Sequence, residues 1–316
     1  MTRMTREMLA RAEGFVWLTG RVLDQRRFAY HFGSGSADGV RRALDAYHAP
    51  DGGFAFGLEP DVRGSASQPV TMATALKLLD ETGLLDEATA APLCDWLASV
   101  SAPGGGIPAV LPSLRAYPRP PWFTVADDPP GDLLATGPAV GMLLKNKIEH
   151  PWVRGAADFC WLAVEALTET HPYEAEAAVT FLDYAPDRER AESLATRVGQ
   201  LVRDQGLFLD PAHPEAARLA PGYAPGEFHL ACDYAIRPTS VGRGWFTDTE
   251  FARSLDALAA AQQDDGGWPI NWAQWSPITA SESRPAVTTL ALLTLRAYDT
   301  PARADPSLPA ARETEG

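Results

Sequence analysis

A helical-looking run, "FARSLDALAAA", ends at residue 261 and gives way to "QQDDGGWPINW". A near copy of that ending, "PDGGFAFGLEPD", occupies residues 50–61. Paired glycines just past a helix permit the positive backbone dihedral that a side chain would forbid. The aromatic after them can fold back and pack on the helix ends. The copies continue alike: an irregular loop, then Ser-Gln-Pro at 67–69 or Ser-Arg-Pro at 283–285, then a second apolar run. A proline in the first turn of a helix sacrifices no hydrogen bond, and Ser67 or Ser283 is placed to cap the free amides beside it. The acid-to-proline distance is 18 residues from Asp51 to Pro69 and 20 from Asp265 to Pro285. Each unit therefore reads as two helices joined by a shaped loop.

Between them lies a degenerate copy, "CDWLASVSAPGGGIPAVLP", followed by a Pro-rich insertion and "ATGPAVGMLLKNKI"; "LVRDQGLFLDP" at 201–211 is a fainter echo. Helical periodicity covers 5–31, 38–48, 69–82, 88–100, 138–148, 153–168, 173–182, 188–203, 248–262 and 285–298, and alternating strand patterns are rare. Units of this kind bury their apolar faces on one another. The expected fold is all-α: an α/α toroid of about six helical hairpins in a closed double ring. Residues 1–300 are expected to form that single domain, and the polar, Pro-rich stretch 301–316 to be disordered.

The net charge of −14 repels nucleic acid and anionic membrane surfaces. The first thirty residues carry no export-type apolar core, and no apolar run nears the roughly 20 residues that span a bilayer. Three scattered cysteines, Cys94, Cys160 and Cys232, suit buried reduced thiols, so a cytoplasmic location is expected. No cofactor is indicated, and protein partners stay open.

The stretch "QQDDGGWP" after a helix resembles the Gln-Trp repeat of squalene-hopene and oxidosqualene cyclases. Those repeats join the outer and inner helices of a toroid shared with protein prenyltransferase β subunits. "DGGFAFGLEPDVRG…SQP" is also similar to bacterial proteins grouped as prenyltransferase and squalene-oxidase repeat proteins. The resemblance is clear at 40–82 and 255–298 and fainter between, and it implies a central cavity for a small hydrophobic or isoprenoid-like molecule. Fold alone does not fix activity. The D-x-D-D acid motif of class II terpene cyclases is absent: "QQDD" has Gln at its first position. The nearest approach to D-D-x-x-D, "ADDPPGD", has the wrong spacing and prolines that forbid a helix.

Three groups of residues invite chemistry. In "GLEPDVRG", Glu59 and Asp61 lie two apart, where an extended chain aims both acids to one side, and Arg63 is placed to orient one of them and lower its pKa. In "GGWPINWAQW", Trp268, Trp272 and Trp275 crowd eight residues, and Phe54 and Phe56 hold the matching loop; such faces line cavities for apolar or cationic substrates. Asp233 and Glu282 are acids beside apolar segments. Within "EFHLACDYA", His229 and Cys232 share a face if the segment is helical, which makes them candidate metal ligands beside Asp233, with no second ligand cluster to complete a site. There is no G-x-S-x-G elbow.

The first expectation is an enzyme using acid/base chemistry on a small substrate. A carbohydrate-active toroid is a second: "GGWP" is similar to a stretch in one pectate lyase family, and Trp-rich loops with paired carboxylates suit a sugar. A non-catalytic repeat protein that binds a ligand is a third.

Overall fold

A computed structural model describes residues 3–299, so the stretch expected to be a disordered tail lies outside the described residues. Eleven α-helices carry the chain within this range: α1 (Arg6–Thr19), α2 (Val22–Phe32), α3 (Ala37–Leu44), α4 (Pro69–Glu81), α5 (Glu87–Ser99), α6 (Leu133–Lys145), α7 (Pro151–Ala166), α8 (Pro172–Leu182), α9 (Arg188–Asp204), α10 (Asp248–Ala260) and α11 (Pro277–Asp299). Among the described residues there is no β-strand, only isolated bridges joining His48 to Phe54 and Leu209 to Leu230. The fold is all-α.

The turn that recurs in the sequence recurs in space. Gly53 O accepts from Ala49 N at 2.8 Å, and Gly52 N donates to Ala49 O at 3.1 Å. The last copy repeats both bonds with Gly267 and Gln263 (2.9 Å) and Gly266 and Gln263 (2.9 Å), and the degenerate copy repeats them with Gly106, Gly105 and Ala102, both at 2.9 Å. The first glycine of each pair has φ of 92°, 92° and 89° in turn, a region closed to most side chains. Asp51 and Asp265 each accept from the second glycine's N–H at 3.0 Å, so these acids brace the turn. The echo at 201–211 is a different object: Leu207 N bonds back to Val202 O, an ordinary glycine-terminated helix end.

The copies diverge at the proline. Pro69 does open α4, with Gln68 as N-cap, but Ser67 caps nothing; its hydroxyl donates to Asp51 at 2.6 Å. Gln68 is fully buried and bonds Leu111 N and Ser113 Oγ, tying the first unit to the second. In the last copy the helix begins eight residues early, so Pro285 and Ser283 lie inside α11 rather than at its start. The run read as one helix over 5–31 breaks at Gly20, whose missing side chain leaves room for Val16 O.

Packing follows the chain order. α4 packs on α6, α6 on α8 and α8 on α9, while α5 and α6 lean on α7. The tightest seam is α6 with α8: a Cβ on Gly137 or Gly141 would stand 2.6 Å from Ala177 O or 2.3 Å from Thr180 O, so only glycine admits that approach. The two ends of the described chain meet. α11 packs on α1, α2 and α10, and Arg3 N and Met4 N donate to the Asp299 carboxylate at 2.9 and 2.7 Å. One buried apolar cluster includes residues from Ala12 to Leu295. Among the described residues no helix is long and apolar enough to cross a membrane.

Candidate active site

The loop after the first turn and the loop after the last come together. Arg63 Nη1 lies 2.9 Å from Glu282 Oε2, and Trp275 Nε1 donates to Asp61 Oδ1 at 2.7 Å. Glu59, Asp61, Arg63, Trp275 and Glu282 are thereby one neighbourhood, drawn from both ends of the sequence. Glu282 sits within α11 and is an ion-pair partner there, not a helix cap. Residues 58–62 form a turn rather than an extended strand, closed by Val62 N on Glu59 O at 2.9 Å.

Beside this junction is a cavity of about 170 Å³. Arg21, Asp24, Arg27, Glu59 and Thr74 form its polar wall, and Leu23, Leu58, Leu78, Trp272 and Val287 its apolar one. Arg21 fixes the loop from the α2 side by donating to Gly57 O at 2.6 Å and Leu58 O at 3.2 Å while bonding Asp24 at 2.9 Å. Thr74 donates to Glu59 Oε2 at 3.2 Å. Removal from water, with the Asp61 charge second, pushes the Glu59 carboxyl up to about 7 against the opposing effects of Thr74 and Arg21. Asp61 is raised too, by burial, which outweighs the Trp275 bond and the Arg63 charge. The Arg63 charge opposes that rise without reversing it, and its ion pair is with Glu282.

The other expected binding residues are placed elsewhere. Trp268 is 2% exposed in the core; its indole donates to Leu258 O at 2.7 Å and its amide to Thr288 Oγ1 at 2.9 Å. Phe54 is buried likewise. Phe56 is 47% exposed and does not line the cavity.

Asp233 belongs to a second polar cluster. Residues 228–236 are turns and irregular loop, not a helix, so the spacing that would pair His229 with Cys232 does not apply. His229 bridges Glu176 Oε1 (2.9 Å from Nε2) and the Tyr223 hydroxyl (3.1 Å from Nδ1), which occupies both ring nitrogens. Tyr173, Tyr223 and Tyr234 surround the imidazole at 4.9–5.8 Å between centroids. Burial alone would lower the His229 pKa; the Glu176 carboxylate reverses this and raises it. Burial lifts Asp233 to about 6 against the pull of His229. Cys232 is fully buried and burial pushes its thiol up, Cys160 likewise, and Cys94 to about 12, so none offers a thiolate. Among the described residues no group of three His, Cys, Asp or Glu is arranged to hold a metal ion.

The sequence motifs do not mark Arg21, the N-cap of α2, with Asp24 and Arg27 on that helix, nor Thr74, Lys77 and Glu81 on α4. The signal was there: each set recurs at intervals of three or four, a polar stripe down one face of the helix.

The fold is shared with a protein from Actinoplanes. That structure superposes with a TM-score of 0.57 at 15% identity, over 93% of this chain and 99% of the other. Variants of the type II terpene cyclase MstE from Scytonema superpose less well. One, in complex with its substrate geranylgeranyl dihydroxybenzoate, has a TM-score of 0.49 at 13% identity over 92% and 87% of the two chains; another, with the product merosterolic acid A, has 0.46 at 14% over 93% and 87%. No protein-family model matches the sequence, and no curated protein matches it either.

Proposed function

We propose that the chain is an enzyme of α/α-toroid architecture that performs general acid–base chemistry on a small substrate, with Glu59 as the proton-transferring group. The toroid reading is supported by the succession α4–α6–α8, by the meeting of the chain ends, and by the thrice-repeated turn. The observation that carries the chemistry is Glu59 itself. It is a half-buried carboxyl on a cavity wall beside a second acid, with its proton affinity moved to neutrality.

Magnitudes narrow the substrate. A volume of about 170 Å³ lies below the ~300–1,000 Å³ of pockets that take drug-sized ligands. It suits a compact molecule with an apolar end toward Trp272, Leu78 and Val287 and a polar end toward Arg21 and Arg27. An acid of pKa about 7 is weak. It is matched to proton exchange with oxygen or nitrogen and poorly matched to protonating an alkene. The missing D-x-D-D points the same way, so any isoprenoid-like substrate would be short and heteroatom-bearing. Asp61, held by Trp275, tunes Glu59 through its charge, and the Arg63–Glu282 pair fixes the two loops across the junction.

Purified protein offered a panel of small epoxides, esters, enol ethers and short prenyl alcohols tests the reading. Turnover is expected to fall as pH rises above about 7, and Glu59→Gln is expected to cost roughly 10²–10⁴-fold. Turnover within two-fold of the parent after Glu59→Gln overturns it. Isotope-edited infrared spectroscopy gives a check that needs no substrate: the Glu59 neutral-acid carbonyl band should be present at pH 6 and gone at pH 8. An ionised Glu59 at pH 6 sinks the proposal.

A further inference from the structure

The chain has three lysines against 24 arginines. Most of its partly buried ion pairs use arginine: Arg21 with Asp24, Arg27 with Glu81, Arg63 with Glu282, Arg237 with Asp183. Of the lysines, Lys145 is paired to Asp80 at 2.8 Å and Lys147 is exposed. Lys77 is the exception to both habits. It stands on α4 one helical turn, about 5 Å, beyond Thr74 of the cavity wall. Its Nζ has no hydrogen bond or ion pair among the described residues.

The carboxylates whose fields reach it are already committed. Glu81 takes a two-pronged bond from Arg27 at 2.7 and 2.8 Å and lies 3.4 Å from His31 Nε2; Glu176 is held by His229. Arg27 from α2 and Arg237 from the 229–237 segment add like charge. The Nε of Arg237 is also unpartnered but sealed from water, whereas the half-buried Lys77 amine is not among the sealed groups. An arginine cannot give up its proton in a protein; a lysine with no counter-ion of its own can.

The structure assigns, we infer, a nucleophilic role to Lys77: its amine condenses with the carbonyl carbon of a small aldehyde or ketone held in the interior. Lys77 adjoins the wall of the proposed acid–base site without lining its cavity, and the inference does not rest on Glu59. The neutral amine attacks the carbonyl carbon, a C–N bond forms as the carbonyl π pair moves onto oxygen, and the oxygen takes up a proton while the nitrogen gives one up, leaving a neutral carbinolamine. A second proton delivered to that hydroxyl lets water leave as the nitrogen lone pair closes the C=N bond, and the nitrogen's remaining proton departs. The protons taken up and released balance, and the net reaction is amine plus carbonyl to imine plus water. Glu176, whose charge reaches the amine and which His229 holds, serves as the carrier of those protons. Burial, opposed by Glu81 and Glu176, holds the ammonium form of Lys77 below its ordinary proton affinity, in keeping with this role.

The folded chain is treated with a small aromatic aldehyde and cyanoborohydride, then digested and mapped by mass spectrometry. Lys77 should be reductively alkylated at least ~10-fold faster than Lys147 at pH 7, although Lys147 is the more exposed, with a rate that reaches half-maximum below pH ~10.4. Lys77→Arg should abolish the fast phase alone. Labelling of Lys147 first, or of Lys77 only on unfolding, overturns the inference. So does a Lys77 that inorganic phosphate or acetate shields while no imine forms, since the amine is then an anion anchor. Glu59→Gln should leave Lys77 labelling unchanged, which separates failure here from failure of the proposed acid–base function.

Discussion

The turns at 51–53 and 265–267 share their backbone hydrogen bonds and their left-handed glycine, yet the segments they lead into share little. After the first, the chain bends through Glu59 and Asp61 and opens α4 at Pro69. After the last, it lays down Trp272 and Trp275 and starts α11 at Pro277, well before the matching proline. The shared part is what joins two helices. The unshared parts are what meet, Asp61 with Trp275 and Arg63 with Glu282. The repeat thus accounts for the scaffold, and the departures from it account for the candidate site.

The largest expected effect breaks the shared part. Trp268→Ala and Phe54→Ala each empty a buried plug behind a turn, and each should cost about 3–5 kcal/mol. Trp268 also satisfies Leu258 O, so its loss should exceed that of Phe54 by about 1 kcal/mol in denaturant titrations. Equal losses would mean that the indole hydrogen bond contributes nothing and that the two plugs are interchangeable.

An intermediate effect concerns the unshared part and has a sign fixed by linkage. Glu59 binds its proton more tightly when folded, at about 7 against an ordinary 4.5. The folded state therefore holds more protons across that window, and stability falls as pH rises through it. After discounting for partial exposure to water, the loss is about 2 kcal/mol. Glu59→Gln should remove that slope, so the variant gains on the parent between pH 5 and pH 8 in paired thermal or urea melts. A constant difference across the window would place Glu59 in water rather than in the cavity wall.

Much of this was legible in residues alone. Acid-Gly-Gly-aromatic fixes a local backbone path, because glycine tolerates the dihedral and the ring fills the space behind it; two full copies in the sequence, and a degenerate one with Ile107 in the ring's place, became three copies of the turn in space. Glu59, Asp61 and Arg63 announced themselves as charges in a glycine- and proline-flanked loop. That Trp275 and Glu282 would be their partners was not legible, since no local pattern encodes a contact across 214 residues. His229 and Cys232 misled for the reverse reason: the spacing argument needs a helix, and the turns and loop at 228–236 scatter the side chains. Lys77 was hidden in plain view, one polar residue in the apolar run "TALKLL", because an unpaired amine is defined by its neighbours' commitments rather than by its own position.

The smallest expected effect tests whether the two divergent loops are coupled or merely adjacent. The Arg63–Glu282 pair is about a quarter exposed on each side and 2.9 Å long, and Arg63 Nη2 is buried without a partner. A pair so placed contributes on the order of 0.5–1 kcal/mol. Arg63→Met and Glu282→Gln, made singly and together, should show a coupling energy of that size, larger at low salt than at high. Trp275→Phe should add a further loss of about 1 kcal/mol by stripping Asp61 of its donor, and should raise the Asp61 proton affinity, which the indole bond now restrains. If the cycle returns zero while Trp275→Phe still destabilises, the indole alone couples the two loops. If both are silent, the loops touch without supporting each other, and a Glu59 poised for proton transfer must be held by Arg21 and Thr74 alone.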